Sequence, residues 1–502
     1  MKSVHIIFNF LFLNIVFSQN TYSNDKSIIA VETKTPPKID GNVLDDPVWK
    51  NISQTTGFIQ QSPDEGKPAS EKTIVKIAFT NDHFYLSVVC YSNQPENIII
   101  NDTRRDSPLD DMDSFIFILD TFNDNQNGYA FGTNAAGIEY DAQITKGGEN
   151  IARIGRFSSG AGGAFNINWD GSWTVKTKIH NDRWSAEFKI PFKTLRYKSE
   201  KTQEWGVNFQ RVNASIQEVS HWSPINRQFT VNRLISAGAL TGVSPPLSQN
   251  IKFIPYFLTQ RNSNSGDEEK TKAYESVAGF DGKVSIGSGL NLDLTYNTDF
   301  AQAEADEQQI NLDRFSLFFP EKRAFFLENA GLFSVGDNSF GGSEVSMFFS
   351  RRIGLAGAGN QVPINGGARL TGTIANMRVG LLNMSTKPSQ GRPSNEYQIL
   401  RLKKELPNRS HIGAIATNLI KLDSEKYSNE VVALDAKWGI GEVSQIDGYT
   451  AISNTPNLDK EKAYAFRLQA SSTGKMFSNA LSYTEIGEDF NPEMGFLKRS
   501  GG

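Results

Sequence analysis

The residues able to do chemistry are few and scattered along this chain. Of five histidines, His5 falls in the first apolar stretch, and His83, His180, His221 and His411 stand far apart. None has a metal-ligand spacing such as His-Glu-x-x-His. There is no Gly-x-Ser-x-Gly elbow and no glycine loop shaped for phosphate, so nucleophile and metal enzymes find no support. Carboxylates offer more. Asp110, Asp111 and Asp113 with Glu187 would supply the acid and base of a glycoside hydrolase if they met, although acidic loop clusters more often shape turns. Asp120, Asn123 and Asp124, with Asn125, place several hard oxygens in one loop, the donor set of a structural calcium. No other cofactor is implied. Trp222, in His221-Trp222-Ser223-Pro224, has the flat apolar face on which a pyranose stacks; the competing reading is a core residue at a sheet edge, and for Trp49 the core reading is the stronger. The turn Glu321-Lys322-Arg323 lies between Phe318-Phe319 and Phe325-Phe326, and is either an inward constriction or plug that selects solutes or a structural loop whose ions pair with one another.

The elements that must position these residues are strands. From about Gln249 onward, polar and apolar residues alternate: Leu292, Leu294 and Tyr296 share one face, and Asn291, Asp293, Thr295 and Asn297 the other. Tyr464, Phe466, Leu468 and Ala470 oppose Arg467, Gln469 and Ser471, and Phe477, Leu481 and Tyr483 repeat the rhythm. Strands of roughly 9–11 residues with one greasy and one polar face are how a closed sheet crosses an outer membrane. The start, Met1-Lys2-Ser3 followed by apolar Ile6 to Phe17, reads as a secretory signal peptide over residues 1–19. No later run approaches 18 apolar residues, so any membrane crossing must use strands. The single cysteine, Cys90, excludes an intramolecular disulfide and reads as a small apolar strand residue. A net charge of −4 over 502 residues, with Lys and Arg thinly spread, argues against nucleic acid as a partner.

Residues 28–243 read differently. Ser114 to Leu119 is nearly continuous apolar chain, and Trp184 to Ile190 alternates and stops at Pro191, as expected for two sheets packed face to face. Pro37-Lys38-Ile39-Asp40-Gly41, Asp45 to Trp49, Asp113 to Asp120 and Trp184 to Leu195, in this order and spacing, resemble the family 9 carbohydrate-binding module. That resemblance implies a sugar clamped between two tryptophans and held by polar side chains. Gln210, within Val207-Asn208-Phe209-Gln210, matches a polar contact, with Asn208 beside it, and Trp222 and Phe229 lie where the second aromatic wall belongs. The first wall is missing, since Leu109-Asp110-Asp111-Met112 stands in its place. The expected acidic and arginine partners fall near Ile116 and Gly132.

The back half carries two unusual segments, Asp299 to Asn329 and Gly487 to Phe496. Together they resemble the DUF5916 family of β-barrel proteins found behind a family 9 module in Bacteroidetes-type bacteria. The resemblance implies an outer-membrane barrel without an established activity; the hydrolase label some members carry has no catalytic residue behind it here. About ten candidate strands and a C-terminus without an aromatic closing strand imply a barrel that is incomplete in this chain. The expectation is therefore all-β: a signal peptide, a sandwich over 28–243 and a partial antiparallel transmembrane barrel over 249–502. It would be an exported outer-membrane protein that captures or handles a glycan or oligosaccharide, with lipid as its other partner. The alternatives are a pore or envelope assembly protein whose sandwich is a scaffold or gate, and a glycoside hydrolase.

Overall fold

The computed structural model describes residues 26–148, 164–198, 200–246, 251–263, 272–286, 289–297, 321, 323–327, 329–336, 345–354, 362–375, 377–388, 393–422 and 427–497. The signal-peptide expectation, the segment from Asp299 to Pro320, Lys322 and Glu328 lie outside the described residues. The chain is all-β, with a few single-turn helices.

The front half forms two facing sheets. One runs in the order Ser27–Ile29, Gly238–Val243, Gln203–Asn213, Ser114–Asp120, Gly128–Asn134, Tyr140–Ile144, Phe165–Asn166. The other runs Thr174–Ile179, Arg183–Pro191, His83–Tyr91, Thr73–Phe79, Val31–Glu32. Period-two alternation sends Phe115, Phe117 and Leu119 inward against Leu86, Val88 and Phe188, and the Phe117 and Phe188 rings meet edge to face at 5.1 Å. Cys90 lies in this core with its thiol pushed up to about 12 by burial, so it packs as an apolar residue. Strand Ser114–Asp120 is apolar throughout because its other face is covered too: Ile116 and Ile118 pack with Leu109, Met112, Ile225, Val231 and Leu234, delivered by flanking loops. The second sheet's outer face takes Trp49, on a helical turn Pro47–Lys50 whose Val48 amide is capped by Asp46.

The back half forms one antiparallel sheet of eleven strands among the described residues, each beside its sequence neighbour, from Ile251–Ser263 to Ser478–Ile486. The path is open: among the described residues nothing pairs with the outer edge of either end strand. Antiparallel order is as the sequence implies; closure into a barrel is not seen.

The connections divide by end. At one end they are short, residues 287–289, 375–376, 407–409, 441–443 and 474–477; at the other they span 297–363, 387–394, 422–426 and 455–463.

Candidate functional site: the sheet interior and its junction with the sandwich

The polarity of the large sheet is inside out. In Tyr427–Ile440, Asn429, Val431, Ala433, Asp435 and Lys437 are buried, whereas Val432, Leu434 and Trp438 are 47%, 56% and 71% exposed. Neighbouring strands repeat this: Asp447, Arg467 and Gln469 are buried, and Ile452, Leu468 and Leu481 are exposed. Asp293 and Thr295 turn in while Leu294 and Tyr296 turn out, the two faces that the alternation implies.

Buried charges require partners, and here they have them. Arg369 holds Asp293 on the adjacent strand, with Nε and Nη2 donating to Oδ2 at 3.1 and 2.8 Å. Arg401 holds Asp435 two strands away, Nη1 to Oδ1 at 2.5 Å and Nη2 to Oδ2 at 2.8 Å, crossing over the intervening strand at Gly413. A Cβ at Gly413 would sit 2.7 Å from both Arg401 Nη1 and Asp435 Oδ1, so only glycine leaves room for the pair.

The chain's own segments cover the buried face of the sheet. Phe325, Phe326, Leu332, Phe333 and Met347 pack on Leu382, Met384, Ile399 and Ile415, joined by Phe490 and Met494. Arg369 Nη1 donates to Phe325 O, and Arg401 Nε to Leu332 O at 3.2 Å, so interior charges also hold the filling in place. Of the two readings of the charged turn, the ion-paired one is seen: Arg323 donates to both Glu321 oxygens, at 2.8 and 2.7 Å, and to the carbonyls of Ile353 and Ser350. The turn also belongs to the segments that plug the sheet's buried face, since Phe325 and Phe326 beside it pack there; selection of solutes has no observation behind it. The second unusual segment joins it, since Asn429 Nδ2 donates to Asn491 O at 2.8 Å and Phe349 N to Met494 O at 2.8 Å.

The residues singled out in the sandwich do not converge on an open platform. Trp222 is fully buried, packs 5.2 Å from Phe209 and donates Nε1 to Thr55 Oγ1 at 2.6 Å, so neither ring face is open to a sugar. Asn208 is spent internally: Nδ2 donates to Ser223 O, and Oδ1 accepts from the amides of Phe209 and Ser223. Gln210 Oε1 faces His221 Nε2 at 3.1 Å. Phe229 alone is only half-buried, with the Arg233 guanidinium 3.7 Å from the ring centre. Where the module family would put polar contacts, Ile116 and Gly132 are wedged against Leu109 and Tyr140.

The loop expected to offer calcium ligands turns its carboxylates onto its own backbone. Asp120 accepts from the amides of Asp124 and Asn125 at 3.2 and 2.7 Å, and Asp124 accepts from those of Gln126 and Asn127, both at 2.8 Å. Asn123, at φ 48, is the left-handed residue of this turn. Burial, reinforced by Asp124, pushes Asp120 up to about 8. Among the described residues no group of three or more acidic, His or Cys side chains is arranged to hold a metal ion. Asp113, just ahead of strand Ser114–Asp120, and Glu187, on Arg183–Pro191, belong to different sheets of the sandwich. Glu187 is buried, accepting from Trp49 Nε1 at 2.7 Å and from the Asp40 and Gly41 amides, and Asp113 accepts from the Ile99 amide.

Arg369, Arg401, Lys403, Asp435 and Lys437, the interior charges, escaped the sequence reading. Their signal was the polar phase of an alternating strand, as in Leu400-Arg401-Leu402-Lys403.

The sandwich meets the sheet at the short-connection end. Arg378 Nη1 donates to Asn127 Oδ1 at 2.9 Å, Arg233 Nη2 to Glu442 O at 2.5 Å, and Lys475 pairs with Glu65 at 3.0 Å.

These features define the class: an all-β chain with a two-sheet sandwich ahead of an inside-out antiparallel sheet. The family model of a domain of unknown function, DUF5916, matches residues 245–383. Similar solved structures include a family 9 carbohydrate-binding module from Caldicellulosiruptor kristjanssonii in complex with glucose, with 16% identity and a TM-score of 0.30 over 43% of this chain and 95% of that one. A second structure of a family 9 module from that organism, with cellotriose, matches at 16% identity and a TM-score of 0.28 over 43% of this chain and 93% of that one. A protein from Bacteroides uniformis ATCC 8492 described as carbohydrate-binding matches at 14% identity and a TM-score of 0.33, over 43% and 98%. No curated protein matches the chain.

Proposed function

We propose that this chain is an exported outer-membrane protein whose large sheet sits in lipid, whose interior is plugged by its own segments, and whose sandwich closes one mouth as a scaffold or gate. The observation that carries this reading is the inverted polarity. A sheet that buries Arg369, Arg401, Asp435 and Lys437 while exposing Leu434, Trp438 and Ile452 suits a solvent of hydrocarbon, where exposed apolar side chains are at home and charges must face inward. In water the same outer face would leave Leu434, Trp438, Ile452 and their neighbours as an exposed apolar surface of the kind that soluble proteins keep small. Bacterial barrels carry short turns on the periplasmic side and longer loops outside. The sandwich contacts the short-connection end, which supports a periplasmic position for it.

The test is partitioning. Full-length chain should need detergent to stay dispersed and should enter lipid vesicles resistant to alkaline extraction. A monodisperse, water-soluble protein that ignores vesicles would overturn the reading.

A second role, glycan or oligosaccharide capture by the sandwich, has one feature in its favour. Phe229 is half-buried, with the buried Arg233 guanidinium 3.7 Å from its ring centre, and so keeps a partly exposed aromatic side chain at the surface. Titrating the detergent-solubilised chain with glucose and cellotriose decides it: saturable binding lost in Phe229→Ala supports this role, and absence of binding removes it.

A further inference from the structure

The segment 224–236 crosses the outer face of the sandwich's larger sheet. Its Ile225, Val231 and Leu234 pack with Ile116 and Ile118 of strand Ser114–Asp120. Those two isoleucines stand in register with Gln210 and Asn208, and Gln210 in turn with His221, so the segment lies over a buried polar row. Hydrogen bonds hold this cover by its backbone. Gln61 Nε2 donates to Asn226 O and Phe229 O at 3.1 and 2.8 Å, and Asn208 Nδ2 to Ser223 O at 2.9 Å. The fit leaves polar atoms unserved: His221 Nδ1 and Gln228 Oε1 are buried with no hydrogen-bond partner among the described residues. Lifting the cover would return both to water, which offsets part of what its apolar residues lose.

Two points of this segment are tied to two different hairpins of the large sheet. Toward its start, the Arg227 amide donates to Glu65 Oε1 at 3.3 Å, and Lys475, in the connection 474–477, pairs with the same oxygen at 3.0 Å. Toward its end, Arg233 Nη2 donates to Glu442 O at 2.5 Å, in the connection 441–443, and Nη1 lies 3.9 Å from Glu442 Oε2. The Arg233 guanidinium also lies 3.7 Å from the ring centre of Phe229, so this anchor reaches back into the cover. The two ties differ in kind. Lys475 and Glu65 meet in solvent, where an ion pair contributes little, whereas Arg233 is buried and its bond to a carbonyl is charge-assisted.

We propose that residues 224–236 form a latch, which the hairpins 441–443 and 474–477 hold shut over Asn208, Gln210 and His221, and which loosens when the sandwich lifts from the sheet. The inference rests on the gate reading given above, in which the sandwich closes one mouth. It adds the part that senses closure. Coupling of this kind is reciprocal, so whatever opens the latch also weakens the docking of the sandwich on the sheet.

The experiment is amide hydrogen exchange, read by mass spectrometry on the full-length chain in detergent, because exchange rates report how often a segment opens. Lys475→Glu with Glu442→Lys places like charges opposite Glu65 and Arg233 while changing only exposed hairpin side chains. Exchange over 224–236 should rise about tenfold, and strand Thr73–Phe79, on the other sheet, should keep its rate. Lys475→Arg keeps the charge and should exchange like wild type. The amides of 441–443 and 474–477, read in the same run, report docking itself, so failure of the latch is distinct from failure of the gate reading. Unchanged exchange over 224–236 overturns the proposal, whether or not the hairpins respond. Equal acceleration throughout the sandwich, Thr73–Phe79 included, overturns it too, since that is general unfolding and not the release of one cover.

Discussion

Arg401 and Asp435 stand on strands that are not neighbours, and their pair spans the gap only because Gly413 presents no side chain. Both groups are about 1% exposed, so removing one strands a charge in the interior. Arg401→Met is expected to destabilise the sheet by about 3–5 kcal/mol, and Arg401→Met with Asp435→Leu to recover most of that loss, because a well-packed apolar pair often matches a buried ion pair. Denaturant unfolding in detergent reads both. In the sandwich, burial drives His221 down from 6.5 to about 3. Its folded value is depressed, so between these limits the unfolded chain takes up a proton that the folded one refuses. Stability therefore rises with pH from about 3 to 6.5, by up to about 1.4 kcal/mol per pH unit from this group. Buried carboxylates such as Glu187, raised by burial, act in the opposite sense, so the readout is the difference between wild type and His221→Gln in melts over that range. His221→Gln should flatten the slope; an unchanged slope would show that the imidazole is protonated in the fold. At this scale the sequence was a partial guide. Trp49 and Cys90 read correctly as core, but an indole that stacks on sugar and one that fills a core are the same residue. Only the packing of Phe209 and Thr55 around Trp222 tells them apart.

For whole elements the sequence was more legible, because a strand's two faces follow from parity alone. Leu292, Leu294 and Tyr296 fall on one side in both sequence and structure, as do Phe466 and Leu468. The plug was not legible as such. Its residues have no period, and nothing local announces that Phe325 and Phe490, some 165 positions apart in the sequence, share one cluster. The same parity argument makes substitution side-specific. Leu434 is exposed and its neighbour Asp435 is buried, so Leu434→Arg puts a cation into the face assigned to hydrocarbon. In vesicles it is expected to destabilise the inserted protein by about 2–4 kcal/mol if the position lies near the bilayer midplane. In detergent-free water the same change would improve solubility, since it breaks an apolar surface. The comparison of folding stability in vesicles with solubility in buffer separates a lipid-facing strand from one that a second protein layer covers: loss in the first with gain in the second fits lipid, and loss in both fits a covering layer.

Across the whole molecule, the proposed position relative to the membrane rests on loop length and on where the sandwich touches. The connections 375–376, 407–409 and 441–443 join strands at the end where Arg233 meets Glu442 and Arg378 meets Asn127, whereas the longer connections 387–394 and 455–463 join strands at the other end. Turn residues alone gave no hint of this, because sidedness depends on which connections lie together, and that requires the strand order. The native chain suits a labelling experiment, since its only cysteine, Cys90, is fully buried and stays silent toward a membrane-impermeant maleimide. Lys460→Cys, in the exposed 455–463 connection, should react in intact cells. Ile216→Cys, 44% exposed on the sandwich, should react only after the outer membrane is permeabilised. Reaction of Ile216→Cys alone in intact cells would put the sandwich outside and reverse the orientation. Equal reaction of both in intact cells would mean that no membrane separates the two ends, and the inside-out sheet would then need a protein partner to cover Trp438, Leu434 and their neighbours.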